Sequence, residues 1–198
     1  AGKTTLLRVL AGVTRPDSGF VETAGRVIPL LDLGLGFHPD LTGEENLALS
    51  ARLLGLDGDE LELAMPSLID FAGIGDAMHL PVGHYSSGMR ARLGFSLAVH
   101  CNPDVLLIDE LLAVGDEQFR RRAISAIRAL QEDGTTVLFV SHELQLVEEV
   151  CDRVVRLEGG RVVDDGEPSA VIGRYGGSAW VAGARDAGSS VRVHALEL

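Results

Sequence analysis

Apolar residues fall into two patterns along this chain, and the patterns alternate. Leu6, Leu7, Val9 and Leu10 give residues 4–11 one helical face. Residues 20–23 and 26–31 read as strands on either side of a turn at Gly25, and 34–39 as a Gly-rich loop. Residues 42–54 suit a helix, with Thr42 as N-cap and Glu45 three residues on as its capping-box partner. A second helix is expected over 59–71, then an irregular stretch over 73–85, then a helix over 86–100 capped by Ser86. Val105-Leu106-Leu107-Ile108 is a short continuous apolar run, the mark of a parallel strand buried on both faces. Residues 116–132 form an amphipathic helix carrying Arg120-Arg121-Arg122, 135–140 a second buried strand and 143–150 a helix. Residues 153–157 and 161–163 pair as a hairpin across Glu158-Gly159-Gly160, and 167–175 close with a helix.

Strands alternating with helices predict an α/β fold with a mainly parallel sheet. Residues from about 42 to 100 lack strands and read as a helical subdomain inserted into it. Residues 177–190 are rich in Gly, Ala and Ser, the composition of a linker. In 191–198 apolar and polar residues alternate, as at the start of a strand.

Charge narrows the partners. The formal net charge is −12, a poor balance for a nucleic-acid binder, which needs cations to displace counterions from phosphates. Cys101 and Cys151 sit in apolar surroundings and not in a CxxC pair, so they read as reduced core thiols. No run of about 18 apolar residues is present to span a bilayer as a helix, so a membrane role is expected to come through a partner. The histidines show no zinc-ligand spacing. The chain opens on AGKTTLLRVL with no strand ahead of it, and the reading expects a piece cut at its N-terminus.

Four short segments carry chemistry. Gly2-Lys3-Thr4 matches the end of a phosphate-binding loop, whose amides and following helix N-terminus favour anions; alone it fits an ordinary helix start equally well. Asp109 and Glu110 emerge at the carboxyl end of the buried strand, where α/β sheets place ligands; alone they also suit a helix N-terminus. His142 follows the neighbouring strand in the order Ser141-His142-Glu143. Tyr85-Ser86-Ser87-Gly88-Met89 opens a second helix N-terminus able to hold an anion, or simply an N-capped helix.

In this order, GKTT, YSSGM, VLLIDE, AVGD and SH resemble the ATP-binding subunit of ABC transporters over about residues 1–176. The resemblance implies a P-loop NTPase core whose phosphate loop begins before residue 1. It implies ATP and Mg²⁺ as cofactors. Gly2, Lys3, Thr4 and Thr5 would lie on the phosphates, Thr4 and Asp109 on the metal, Glu110 on the attacking water and His142 on the γ-phosphate. Ser86, Ser87, Gly88 and the D-loop acid Asp116 would complete the nucleotide site from a second copy, in a head-to-tail homodimer.

YSSGM stands where most of the family has LSGGQ, and together with GFHPDLTGEEN and DELLAVGD it resembles the exporters of polysaccharide, O-antigen and teichoic acid. That branch implies a polytopic membrane permease as partner, a glycan as cargo, no nucleic acid, and a place on the cytoplasmic face of the membrane. Some members continue into a carbohydrate-binding β-sandwich, which residues 191–198 would begin. The glutamine usual before the LT-x-x-EN segment is absent, and His38 is a candidate for its place. Two rival readings are a non-transport ABC ATPase and a regulatory module that holds ATP as a switch.

Overall fold

A computed structural model of the protein describes residues 2–31, 36–109, 116–175, 180–183 and 191–197. Its helices are α1 (Lys3–Leu10), α2 (Gly43–Leu53), α3 (Gly58–Ala72), α4 (Ser87–His100), α5 (Glu117–Glu132), α6 (Leu144–Val150) and α7 (Pro168–Tyr175). Its strands are β1 (Ser18–Thr23), β2 (Val27–Leu30), β3 (Val105–Asp109), β4 (Thr136–Ser141), β5 (Arg153–Glu158), β6 (Arg161–Gly166), β7 (Trp180–Gly183) and β8 (Val191–Glu197). The expected helices and strands are present, with small shifts at their ends. The irregular stretch before α4 contains two short 3₁₀ turns, Gly75–His79 and Val82–His84.

Capping chemistry sets the helix starts. Thr42 Oγ1 accepts the N–H of Glu45 at 3.2 Å, and the Glu45 carboxylate accepts the N–H of Thr42 at 2.8 Å, closing a capping box on α2. Asp57 and Glu60 form the same reciprocal pair on α3. α3 stops at Gly73, whose φ of 60° is the left-handed geometry that favours glycine.

The main sheet has the order β2-β3-β4-β7-β5-β6. β2, β3 and β4 are parallel, with Leu30 opposite Ile108 and Ile108 opposite Phe139. β7 is antiparallel to both β4 and β5, so β5 runs in the direction of β4, and β6 returns from it as the expected hairpin. β2 and β3 are neighbours although α2, α3 and α4 lie between them in sequence, which makes the helical insertion a long crossover.

β1 and β2 stand on either side of the Gly25 turn, as expected, and do not pair with each other: β1 pairs with β8 in a separate two-stranded sheet, and β2 joins β3. At that turn Gly25 has a φ of 78°, and the Asp104 carboxylate sits where a Cβ would go while accepting the Arg26 N–H at 2.6 Å. This contact holds the turn beside the start of β3. The linker reading of 177–190 needs correction at residues 180–183, which are the strand β7 within the main sheet. Residues 191–197 are a strand, as their alternation predicts.

Alternate residues of β3 and β4 enter opposite cores, as the two-residue period of a strand requires. Ile28, Leu30, Leu106, Ile108, Val137 and Phe139 face the large core shared with the helical insertion, α5 and α6. Val105, Leu107 and Val140 face Leu7 and Leu10 of α1 in a smaller one. The sheet is therefore covered on both sides, which is why its strands read as continuous apolar runs.

Candidate nucleotide-binding site

Gly2 caps α1 in left-handed geometry (φ 106°), and its carbonyl accepts the first helical bond from Leu6 at 2.8 Å. A Cβ on Gly2 would lie 3.6 Å from the Cα of Gly160. Gly160 belongs to the turn that ends β5, and β5 runs with β3 and β4. The N-terminus of α1 therefore lies at the carboxyl edge of the sheet. Asp109, half-buried, ends β3 at that edge, opposite Val140 of β4, and His142 follows two residues beyond, exposed. Gly2, Lys3, Thr4, Thr5, Asp109 and His142 thus share one edge. Lys3, the chain's only lysine, is half-buried, and Thr4 and Thr5 are exposed. Helix N–H groups, an ammonium, a hydroxyl and a carboxylate at one sheet edge can receive a polyphosphate and a hard cation. Glu110, and residues 111–115 before Asp116, lie outside the described residues.

The second group of expected residues lies elsewhere. Ser86 caps α4 with its Oγ accepting the Met89 N–H at 3.2 Å. Ser87 is exposed and Gly88 half-buried. Ser86, Gly88, Met89 and Asp116 line one cleft of about 330 Å³, together with Arg92 and Gly73. Lys3, Thr4 and Asp109 do not line it. Asp116 caps α5: one carboxylate oxygen accepts the Phe119 N–H at 2.8 Å, the other the Arg92 guanidinium at 2.7 Å. The bond from Phe119 and then that from Arg92 hold its carboxyl below the ordinary carboxylate range.

Several residues that shape the site carry no strong signal in the sequence. Tyr85, before Ser86, is buried, and its hydroxyl donates to the Ala77 carbonyl at 2.6 Å. Burial pushes its hydroxyl pKa up. Asn46 is fully buried on α2; its amide nitrogen lies within 3.0 Å of the carbonyls of His38, Leu41 and Thr42, and its oxygen accepts the His38 N–H at 2.7 Å. His38 itself turns to its own loop, its Nδ1 accepting the Asp40 N–H at 3.3 Å. The three consecutive arginines of α5 diverge as helical residues must: Arg120 to Glu143 at 2.5 Å, Arg121 to Glu117 at 3.9 Å and Arg122 to Asp70 at 3.4 Å.

The sequence model of the family described as "ABC transporter" matches residues 1–113. The O-antigen export system ATP-binding protein RfbB of Klebsiella pneumoniae is 47% identical over 175 residues, 88% of this chain and 71% of that protein. The chain belongs to the ABC transporter family. Other relatives are the ABC transporter protein AbcA of Aeromonas salmonicida, 46% identical over 88% of this chain and 57% of its own length, and the teichoic acids export ATP-binding protein TagH of Levilactobacillus brevis, 41% identical over 88% of this chain and 48% of its own length. The chain thus spans between about half and 71% of these curated relatives. The names of RfbB and TagH fall in the O-antigen and teichoic-acid export branch to which the YSSGM signature pointed. Among solved structures, an ATP-binding subunit of an ABC transporter superposes with a TM-score of 0.80 over 88% of this chain and 78% of that one, at 24% identity. A dimeric ATP-binding cassette, MJ0796 bound to ADP and Pi, gives a TM-score of 0.71 at 19% identity over 84% of this chain and 81% of that one. Both carry the fold of this ABC family member. Among the described residues no helix is long and apolar enough to cross a membrane.

Proposed function

We propose that this chain is the ATP-binding and hydrolysing subunit of an exporter of polysaccharide, O-antigen or teichoic-acid type glycans. The observation that carries the reading is the meeting of the α1 N-terminus with the carboxyl ends of β3 and β4 at one sheet edge. The relatives' names support the cargo class. Residues 1–176 would form the ATPase domain. Gly2, Lys3, Thr4 and Thr5 bind the phosphates through helix N–H groups and the Lys3 charge. Asp109 and the Thr4 hydroxyl are oxygen ligands suited to Mg²⁺, which when bound neutralises charge on the phosphates. Glu110 orients and polarises the water that attacks the γ-phosphorus, and His142 contacts that phosphoryl group.

The separation of the Ser86 cleft from Lys3 and Asp109 supports a site built from two copies. In a head-to-tail dimer Ser86, Ser87, Gly88 and Asp116 of one copy face the nucleotide of the other, so that ATP holds the copies together and hydrolysis releases them. A polytopic permease at the cytoplasmic face of the membrane receives that motion.

The test uses the full chain. Glu110→Gln should keep ATP binding and nearly stop phosphate release, while Lys3→Ala should lose binding. Ser86→Arg should block ATP-driven dimerisation in light scattering while one copy still binds nucleotide. Wild-type turnover by the Glu110 variant removes that residue from catalysis, and binding without any turnover by the wild type favours the regulatory switch. Co-purification of a polytopic membrane subunit separates an exporter from a non-transport ATPase.

A further inference from the structure

We propose that Arg120 is a positioning residue for His142, acting through Glu143, and that α5 ties the His142 turn to the Ser86 helix through two arginine–carboxylate pairs. The proposal rests on the role given to His142 above.

His142 stands between two fixed residues. Ser141, buried, ends β4, and its Oγ accepts the Glu143 N–H at 3.0 Å, closing the backbone around the histidine. Glu143 occupies the N-cap position of α6, yet its side chain makes no capping bond there. Its carboxylate goes instead to the Arg120 guanidinium at 2.5 Å. Both side chains are about one-third exposed, at 33% and 31%, so the pair is better shielded than the open surface pairs. α6 has only seven residues and no N-cap bond from a side chain; Leu146 and Val147 bury it in the large core, and this ion pair adds a polar tie from its N-cap residue to α5.

Arg120 lies one helical turn beyond Asp116, with its N–H on the Asp116 carbonyl at 3.0 Å, so both residues project from one face of α5. Asp116 holds Arg92 of α4 at 2.7 Å, and Arg92 also lies over the Phe119 ring at 5.2 Å from its centroid. Ser86, at the start of α4, and His142 are thereby connected through a rigid turn of helix with a charge pair at each end. The neighbouring arginines take no part, since Arg121 pairs within α5 and Arg122 reaches α3. A histidine that must meet a phosphoryl group needs placement to a fraction of an ångström, and its supporting contacts decide whether it gets it.

The experiment compares Arg120→Ala, Arg120→Lys, Glu143→Gln and His142→Ala in the full chain, with Arg153→Ala as a control that breaks the exposed Arg153–Asp165 pair. Phosphate release gives kcat and KM for ATP, and thermal unfolding reports folding. Arg120→Ala and Glu143→Gln should each lower kcat on the order of tenfold to a hundredfold with little change in KM. Combining them should cost no more than either alone, Arg120→Lys should recover part of the loss, and Arg153→Ala should leave kcat unchanged. Should Arg120→Ala unfold, Glu143→Gln carries the test with an isosteric side chain. A kcat within about twofold of wild type for Glu143→Gln, while His142→Ala loses turnover, overturns the positioning role and leaves the site reading standing. Wild-type turnover by His142→Ala overturns both.

Discussion

The hydroxyl of Tyr85 occupies the space that a side chain on Gly43 would need. A Cβ there would collide with the phenol oxygen and lie 3.2 Å from the Met78 carbonyl. Tyr85 precedes Ser86 and Gly43 opens α2, so this contact joins the start of the signature helix to the start of the insertion. Gly43→Ala should cost about 1–3 kcal/mol by overpacking. Tyr85→Phe, which loses the bond to Ala77, should cost about 1 kcal/mol. The double variant should lose clearly less than the two together, because phenylalanine has no oxygen to meet the new methyl. Urea unfolding of the four proteins measures this, and strict additivity would count against the contact.

Asn46 organises the loop ahead of α2 from inside the protein. Replacing it with Leu leaves the His38 N–H without its acceptor and takes a side-chain donor from three carbonyls, each of which keeps a backbone N–H. The expected loss is about 1–3 kcal/mol, the cost of stranding a buried polar group. Hydrogen exchange should quicken first at His38; unchanged protection there would show that another group holds the loop.

Asp116 links pH to the Arg92 pair. Its folded pKa lies below the ordinary 3.8. The group therefore stabilises the fold above that ordinary value, and the contribution is lost as pH falls through the lowered folded value. Asp116→Asn keeps a good N-cap but removes the charge. Its melting temperature should trail the wild type by a constant gap from neutral pH down to about pH 5, and the gap should close below about pH 4. A gap that persists at low pH would place the effect in packing and not in charge.

Cys101 and Cys151 are buried, and burial pushes both thiols up to about 12. Since the thiolate is the reactive form, neither should be alkylated in the native chain at neutral pH, and both should react on unfolding. Fast native labelling, read by mass spectrometry, would mean that α4 or α6 opens readily.

How much of this was legible beforehand depended on whether the signal was local. The capping box at Thr42 and Glu45, the N-cap Ser86 and the hairpin turn at Gly159-Gly160 rest on neighbours in sequence, and they stand where the residue pattern puts them. Which strand β2 joins after the Gly25 turn was not legible locally, because the turn is held by Asp104, far along the chain. The strand at 180–183 was hidden for a related reason: its Gly- and Ala-rich surroundings have the composition of a linker, and a place between β4 and β5 comes from their unpaired edges.

The sequence by itself determined the order of helices and strands, because periodicity and capping act over a few residues. Its YSSGM, GFHPDLTGEEN and DELLAVGD segments also pointed to the relatives named for O-antigen and teichoic-acid export. Only the tertiary structure decided that α1, β3 and β4 present their chemistry at one edge, that the Ser86 cleft lies apart from Lys3, and that Arg120 and not Arg121 or Arg122 meets Glu143. Those relationships join residues distant in the chain, where sheet order, helix phase and side-chain reach fix the partners.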